Sequence, residues 1–378
     1  MKRVVVLGAG RVGAVIAADL AREDGLRVHV ADASEAALRA AAQRCGGRVT
    51  TERADLSDPG AVGRLAAAAE LVVGALPSRF GYRALGAVLA ARRPYVDISF
   101  MPEDAREHAA AARDAGVAAV VDMGVAPGMS HLLAAHGVAR LGGARRLRIL
   151  VGGLPVERTL PFQYKAGFAP SDVIEEYTRP ARVVEHGKPV TRPALSIVER
   201  VDFEGLGTLE AGLTDGLRSL VDSLDVPDMS ELTLRWPGHY DLMRAFGAAG
   251  LFSDEPLDVR GVRVRPIDVT SKLLVEAWTF QPGEEDLTVM RVEVESAERR
   301  LVFDVLDRYD RESGTTSMAR TTAYPCAIVA RLLLDGTWAR PGVFAPEELA
   351  AAPGLVERVL AEHRARGVRY VERELPPA

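Results

Sequence analysis

The residues best spaced for chemistry stand near the start of the chain, where Gly8, Gly10 and Gly13 follow the β-branched run Val4-Val5-Val6-Leu7. A strand that breaks into Gly-x-Gly-x-x-Gly and then a helix brings bare backbone up to an anion. Gly8 permits the tight bend, Gly10 lets a pyrophosphate approach, and Gly13 lets the helix pack close to the strand. Arg11 and Val12 then open a helix, to about Ala21, whose first N–H groups point at the anion. A second apolar run, Arg27 to Ala31, ends at Asp32, 19 residues after Gly13. A dinucleotide fold places there the carboxylate that accepts the ribose hydroxyls, while capping a helix from Ser34 is the plainer use of the same acid. A carboxylate at that point repels a 2′-phosphate, and Ala33-Ser34 supplies no arginine to bind one, so NAD is expected over NADP.

To hold that turn, the chain must alternate strands and helices, and it does. A helix over 34–45 leads to a strand over 48–56, whose end makes Asp55 and Leu56 candidates for the adenine pocket. A turn and helix cap through Ser57-Asp58-Pro59 is their alternative reading. A helix over 60–69 and a strand over 70–77 follow, and Ala75, Leu76 and Pro77 fall beside the first strand, where open sheets bind ligands. A helix over 82–91, a strand over 95–100, a helix over 103–115 and a strand over 117–122 complete an α/β, doubly wound parallel sheet of the Rossmann kind. After a glycine and proline turn at 123–128 and a helix over 129–141, strands lengthen and helices thin out: 146–151, 209–213, 231–235, 262–265, 286–296 and 300–309. That pattern predicts an α+β domain with a mainly antiparallel sheet. Helical pattern returns over 318–334 and 346–364, and a short apolar run, 368–371, closes the chain. The expected domains are 1–128, 129–316 and 317–378.

A chain of 378 residues exceeds one ordinary core. Its 47 basic and 52 acidic residues give a net charge of −5, no reason to expect nucleic acid or an anionic membrane as partner. Cys45 and Cys326 stand far apart with no Cys-x-x-Cys spacing, which argues against disulfides and fits a reducing, cytoplasmic setting. The apolar run after Met1-Lys2-Arg3 enters the turn at Gly8 and is too short for a signal peptide or a membrane span.

Five later segments carry a resemblance. Met123-Gly124-Val125-Ala126-Pro127-Gly128-Met129, Val151-Gly152-Gly153-Leu154-Pro155, Tyr164-Lys165-Ala166-Gly167-Phe168-Ala169-Pro170, Leu213 to Leu220, and Met318 to Tyr324 stand in the order of the saccharopine dehydrogenase family. Nearly the whole chain resembles it, most closely the short branch of L-lysine 6-dehydrogenases. The resemblance implies a Rossmann domain, an inserted substrate domain and C-terminal helices that return to the Rossmann domain. It also implies a nicotinamide cofactor, an amino acid as substrate, a homodimer, and oxidative deamination at C6 of lysine. The alternatives are a saccharopine or carboxynorspermidine type of dehydrogenase, acting on a secondary amine, and a non-catalytic NAD-binding sensor.

Such a reaction needs a base for the substrate ammonium and a fork-shaped cation for its carboxylate. Asp97, at a strand's carboxyl end, could hold the ammonium or act as base, or could cap the helix at Pro102. Asp122 reads as a structural acid in the following turn. His131 is a lesser candidate; five residues from His136, it misses the i, i+4 spacing of a zinc pair, so no metal is expected. Tyr164 and Lys165 enter the second domain, and a desolvated Lys165 would serve as base or carboxylate anchor, a solvated surface lysine being the alternative. Arg218, after Thr214-Asp215-Gly216, is the foremost carboxylate clamp, with a salt bridge to Asp215 or Asp222 as its plainer role. Arg320 is a second cation, read chiefly as an interdomain strut.

Overall fold

The computed structural model describes residues 1–166 and 170–377. The chain forms two compact units, Met1–His136 with Ala319–Arg369, and Gly137–Met318 with Tyr370–Ala378. The order of elements begins β1 (Lys2–Leu7), α1 (Arg11–Leu20), β2 (Leu26–Asp32), α2 (Glu35–Arg44), β3 (Val49–Arg53) and α3 (Pro59–Ala67). It continues β4 (Leu71–Gly74), α4 (Ser78–Ala90), β5 (Tyr95–Asp97), α5 (Ala109–Ala115), β6 (Ala118–Val120) and α6 (Met129–Leu141). Next come β7 (Arg146–Pro155), α7 (Pro170–Thr178), β8 (Ala181–Glu185), β9 (Lys188–Arg192), β10 (Val198–Phe203), β11 (Gly207–Thr214) and α8 (Leu220–Ser223). They lead to β12 (Asp228–Arg235), α9 (His239–Ala248), β13 (Leu257–Val259), β14 (Val262–Val264), α10 (Pro266–Trp278), β15 (Asp286–Glu295) and β16 (Arg300–Arg308). The chain ends with α11 (Ser317–Leu334), β17 (Gly342–Phe344), α12 (Pro346–Leu349), α13 (Leu355–Ala365) and β18 (Tyr370–Leu375).

The first unit holds a seven-stranded parallel sheet in the order β17-β6-β5-β4-β1-β2-β3. Val4 to Leu7 of β1 and Leu71 to Val73 of β4 are fully buried, as strands covered on both faces must be. The strand order reverses beside β1, so the turn after it opens at the switch point where α/β sheets bind ligands. Local chemistry sets the helix starts: the Ser34 side chain accepts from Ala37 N, and Asp58 accepts from Gly60 N and Ala61 N. Several boundaries differ from the sequence reading. β4 stops at Gly74 and α4 begins at Ser78, because Pro77 sits at the N-cap. β5 has three residues, and the helix expected over 103–115 is a 3-10 turn, Ala105–His108, followed by α5. The edge strand β17 was not anticipated; its three residues are too few to show a period.

The second unit's sheet runs β10-β11-β12-β7-β15-β16-β18, antiparallel except for the parallel pair of β12 with β7, and β8 and β9 extend it. One face packs Leu150, Leu154, Leu213, Leu232, Leu234 and Val289 into an apolar core. Strand alternation turns Thr214, Glu231, Thr233, Arg235 and Thr288 to the other face. That face is covered: a Cβ at Gly212 would lie 2.5 Å from the Tyr240 ring of α9, and Tyr240 belongs to a cluster with Tyr164, Tyr177, Leu274 and Trp278. The expectation that helices thin out after residue 141 therefore needs correcting, since α7, α9 and α10 all lie there. Their buried stripes are short and mix Val173, Ile174, Met243 and Leu274 with Tyr177, Tyr240, His239, Thr270 and Trp278, which blurs a 3.6-residue period. The helix read over 346–364 is two, broken at Pro353-Gly354, and the final residues form β18, paired with β16 in the second unit rather than with the returning helices. Among the described residues no helix is long and apolar enough to cross a membrane.

Candidate functional site

The glycine turn is built by close approach. Gly8 has φ +104°, and a Cβ there would lie 2.3 Å from Ala75 O. One at Gly13 would lie 2.1 Å from Gly8 O and 3.2 Å from Ala75 Cβ. A Cβ at Gly10 would meet nothing within 4 Å, so that glycine faces open space. No side chain caps α1 at Gly10, which leaves its first turn suited to an incoming anion. Arg11 is exposed and Val12 half-buried beside it. Asp32, half-buried at the end of β2, accepts Ala9 N at 2.7 Å through Oδ2 and Ser34 N at 2.7 Å through Oδ1. Its carboxylate staples the turn to β2, and Ser34 rather than Asp32 caps α2. These residues fit a dinucleotide pyrophosphate and ribose: open backbone, an uncapped helix start and a fixed acid.

The rest of the expected nucleotide set divides. Ala75 packs on Gly8 and Gly13, Leu76 is buried, and Pro77 is exposed at the start of α4. Leu56 is buried in the core with Val62 and Leu65. Asp55 is exposed and accepts Ser57 N at 2.9 Å and Ser57 Oγ at 2.6 Å, bonds that hold its carboxyl below the usual range. The turn reading thus describes Asp55 and Leu56 better than the adenine-pocket reading, because a loop this short uses its own acid to close.

Asp97 is fully buried. Tyr95 OH donates to its Oδ2 at 3.1 Å, Asp122 N approaches its Oδ1 at 3.3 Å, and Met123 N donates to its carbonyl at 2.8 Å. Burial, then the Asp122 carboxylate, pushes the Asp97 carboxyl well above its ordinary range. It caps no helix at Pro102; it ties β5 to the turn over 122–128. Asp122, at φ +56°, starts that turn. His131 is fully buried in α6, its Nδ1 3.0 Å from Ser130 Oγ. Arg320 is buried and donates to Arg366 O at 3.1 Å, a strut inside the first unit.

In the second unit, Lys165 Nζ lies 3.3 Å from Glu284 and donates to Thr279 O at 3.3 Å. Its amine is held by a carboxylate and a carbonyl. Tyr164 is buried beneath the Arg235 guanidinium, 4.3 Å from its ring centre, and burial pushes its phenol well up. Arg218 is half-buried at φ +44°, and Asp215, one of its two expected partners, pairs with Arg182 at 3.0 Å. Gly167, Phe168 and Ala169 of the family segment lie outside the described residues.

What the sequence reading missed is the covered face behind these residues. Arg235 is buried; it donates to Glu176, through Nε to Tyr177 OH at 3.2 Å, and to Leu234 O at 2.9 Å. Tyr177 OH lies 2.9 Å from His239 Nε2, and His239 Nδ1 lies 2.9 Å from Phe162 O. The carbonyl can only accept, so Nδ1 carries the proton and Nε2 accepts from Tyr177. Burial, then Arg235, lowers His239 to about 3, which keeps it neutral. Four residues before Arg235 on β12, Glu231 is buried, with no hydrogen-bond partner on Oε2 among the described residues. Burial first, then the Asp215 and Glu176 carboxylates, push it to about 8, against the pull of Arg218. The alternation Glu231-Leu232-Thr233-Leu234-Arg235 was visible, but it reads equally as a strand with one face in water. Among the described residues no group of three or more His, Cys, Asp or Glu side chains is gathered to hold a metal ion.

Comparison with known proteins decides the family. Residues 4–120 match the saccharopine dehydrogenase NADP binding domain, and residues 124–368 match the saccharopine dehydrogenase C-terminal domain. The chain belongs to the saccharopine dehydrogenase family. It is an oxidoreductase of that family, with a dinucleotide-binding first unit. The saccharopine dehydrogenase [NADP(+), L-glutamate-forming] of Saccharomyces cerevisiae is 24% identical over 91% of this chain and 94% of its own. The mitochondrial alpha-aminoadipic semialdehyde synthase of Bos taurus is 23% identical over 98% of this chain but 47% of its own. The carboxynorspermidine synthase of Vibrio cholerae is 31% identical over 32% of this chain and 30% of its own. The solved apo saccharopine dehydrogenase (L-Glu forming) of Saccharomyces cerevisiae shares the fold, with a TM-score of 0.83 at 19% identity over 99% of this chain and all of that one.

Proposed function

We propose that this saccharopine dehydrogenase family member oxidises the C6 amine of L-lysine, with NAD as the hydride acceptor. The observation that carries the amine chemistry is Glu231 itself, a buried carboxyl with the Asp215 and Glu176 carboxyls and the Arg218 guanidinium near it. L-lysine is the amine that the likeness to the short branch of the family implies. Arg235 donates to Glu176 and Tyr177, and Arg218, near Glu231, is the guanidinium whose fork suits the α-carboxylate. A carboxyl near 8 is matched to hold the proton of an amine substrate at Glu231 Oε2 far better than an ordinary carboxylate. When bound, the dinucleotide takes the hydride from the carbon that carries the amine. Asp97 acts through the 122–128 turn, as a positioning acid.

Asp32 supports NAD, since its carboxylate repels a 2′-phosphate. Two observations favour NADP as a second reading: residues 4–120 match a saccharopine dehydrogenase NADP binding domain, and Arg53 stands opposite Asp32 in the sheet register, exposed, with Nε on Ala33 O at 3.2 Å. Reduction of NAD and of NADP, measured with L-lysine, L-ornithine, saccharopine and diamines, tests both halves. The highest kcat/KM with L-lysine and NAD is expected. Turnover of saccharopine alone would replace the lysine reading, a clear NADP preference would remove Asp32 as the selector, and no turnover with any substrate would favour the sensor.

A further inference from the structure

Gly216, in the turn after β11, has no backbone reason to be glycine. Its φ lies outside the left-handed region that Gly207 and Gly238 adopt at +86° and +96°. What requires the missing side chain is space. A Cβ at 216 would lie 1.6 Å from Glu231 Oε1, 2.0 Å from its Cδ and 2.5 Å from its Oε2. The Glu231 carboxyl fills the place that a side chain at 216 would take. In the same unit Gly152 and Gly212 make room for Leu234 and for the Tyr240 ring; at Gly216 the guest is a buried acid.

The contacts on each side decide which of the two would yield to a side chain at 216. The turn is anchored: Asp215 accepts Arg182 N at 3.1 Å and Arg182 Nε at 3.0 Å, Thr214 Oγ1 lies 2.9 Å from Thr233 Oγ1, and Leu217 is fully buried. The carboxyl is the far end of a flexible side chain, and its Oε2 has no hydrogen-bond partner among the described residues. Across the sheet Glu231 stands between Thr214 of β11 and Ile149 of β7, neither of them charged. The charged groups that reach it are Asp215 and Arg218 of the turn and Glu176 of α7. An added side chain therefore moves the acid and leaves the turn in place.

We propose that Gly216 is a positioning residue: by lacking a side chain it lets the turn after β11 seat the Glu231 carboxyl, with Oε1 closest to the turn and Oε2 left for the substrate amine. This placement rests on the proposed use of Glu231 to hold the proton of an amine substrate, and it gives the glycine a role in the chemistry rather than in the backbone.

The test is Gly216→Ala in the full chain, read in two ways. With L-lysine, kcat/KM should fall about tenfold or more, and the pH limb that Glu231 sets near 8 should move toward 4.5 by about one unit or more, because the displaced carboxyl leaves its enclosed place. In urea unfolding, the fall of the midpoint between about pH 5 and about pH 8 that Glu231 causes should shrink by about half or more. Glu231→Asp withdraws the carboxyl by one methylene and frees the space. On that background Gly216→Ala should change kcat/KM and the pH dependence of the midpoint about twofold or less. A midpoint with wild-type pH dependence in Gly216→Ala overturns the proposal whatever the turnover. So does an unmoved limb in kcat/KM, a loss as large with Glu231→Asp as without it, or a Gly216→Ala chain that fails to fold and is not restored by Glu231→Asp. Unfolding keeps two failures apart. If no amine is oxidised but the pH dependence of the midpoint shrinks, the substrate reading fails and the placement stands; if L-lysine is oxidised and Gly216→Ala matches the wild type, the placement fails and the substrate reading stands.

Discussion

In the glycine turn of the first unit, what an incoming ligand would meet is backbone; on the covered face of the second sheet, it is side chains. The turn draws its geometry from residues 8 to 13, with Ala75 and Asp32 as the two outside supports. The covered face draws on Glu176, Arg218, Glu231, Arg235 and His239, which come from one strand, two helices and a strained turn. A backbone site must forbid side chains at fixed intervals, so its spacing survives in the sequence. A side-chain site needs only that its members meet in space. The two also differ in how they tolerate change, since the first fails by collision and the second by leaving buried charge uncompensated.

The largest effect that would sharpen this contrast is at Gly13. Gly13→Val should weaken NADH binding about 100-fold or more, equivalent to about 2.7 kcal/mol, read by fluorescence titration, because its Cβ would collide with Gly8 O. Gly10→Ala, facing open space, should keep the thermal midpoint and still cost about tenfold in affinity. Equal loss of stability in both would break the claim that Gly13, unlike Gly10, is a packing glycine.

Next in size is the covered face itself. Arg235→Ala leaves Glu176 and Tyr177 without their guanidinium and should cost about 3–5 kcal/mol in urea unfolding, with Glu176→Gln recovering part of it in the double variant. A loss under about 1 kcal/mol would place the pair with surface bridges.

Glu231 supplies a pH test with a definite sign. Its folded value of about 8 exceeds the ordinary 4.5, so between the two the folded state holds a proton that the unfolded chain has released. Its contribution to stability is complete below 4.5 and is lost as the pH rises to about 8, by at most about 1.4 kcal/mol per pH unit. Glu231→Gln should therefore gain on the wild type as the pH rises through that window and run parallel above it. Parallel curves throughout would show that the carboxyl is solvated.

The smallest expected effect is at Lys165. As a strut to Glu284 and Thr279, its replacement by Met should cost about 1 kcal/mol or less and change kcat little. A fall in kcat of about 100-fold or more, with a lost pH limb, would restore it as a base.

The alternation of the first unit, the cofactor turn and Asp32 were legible because each depends on neighbours in sequence: a buried parallel strand must be apolar throughout, and a tight turn must be glycine. The second sheet was legible in its long strands, 286–296 and 300–309 among them, and opaque in its helices, whose buried stripes are short and mixed. Asp97 shows the limit of reading one position at a time. It stands at a strand's carboxyl end, as expected, yet Tyr95 and Asp122 close over it.

The sequence by itself determined the Rossmann half, the class of cofactor and the resemblance to the family that the domain matches establish. Those follow from backbone sterics and local periodicity, which act over a few residues. Only the tertiary structure decided that Lys165 is paired, that His131 and Asp97 are enclosed, and that Glu231 and Arg235 share one covered face. Burial and charge pairing depend on what the rest of the chain lays over a residue, and no local spacing records that.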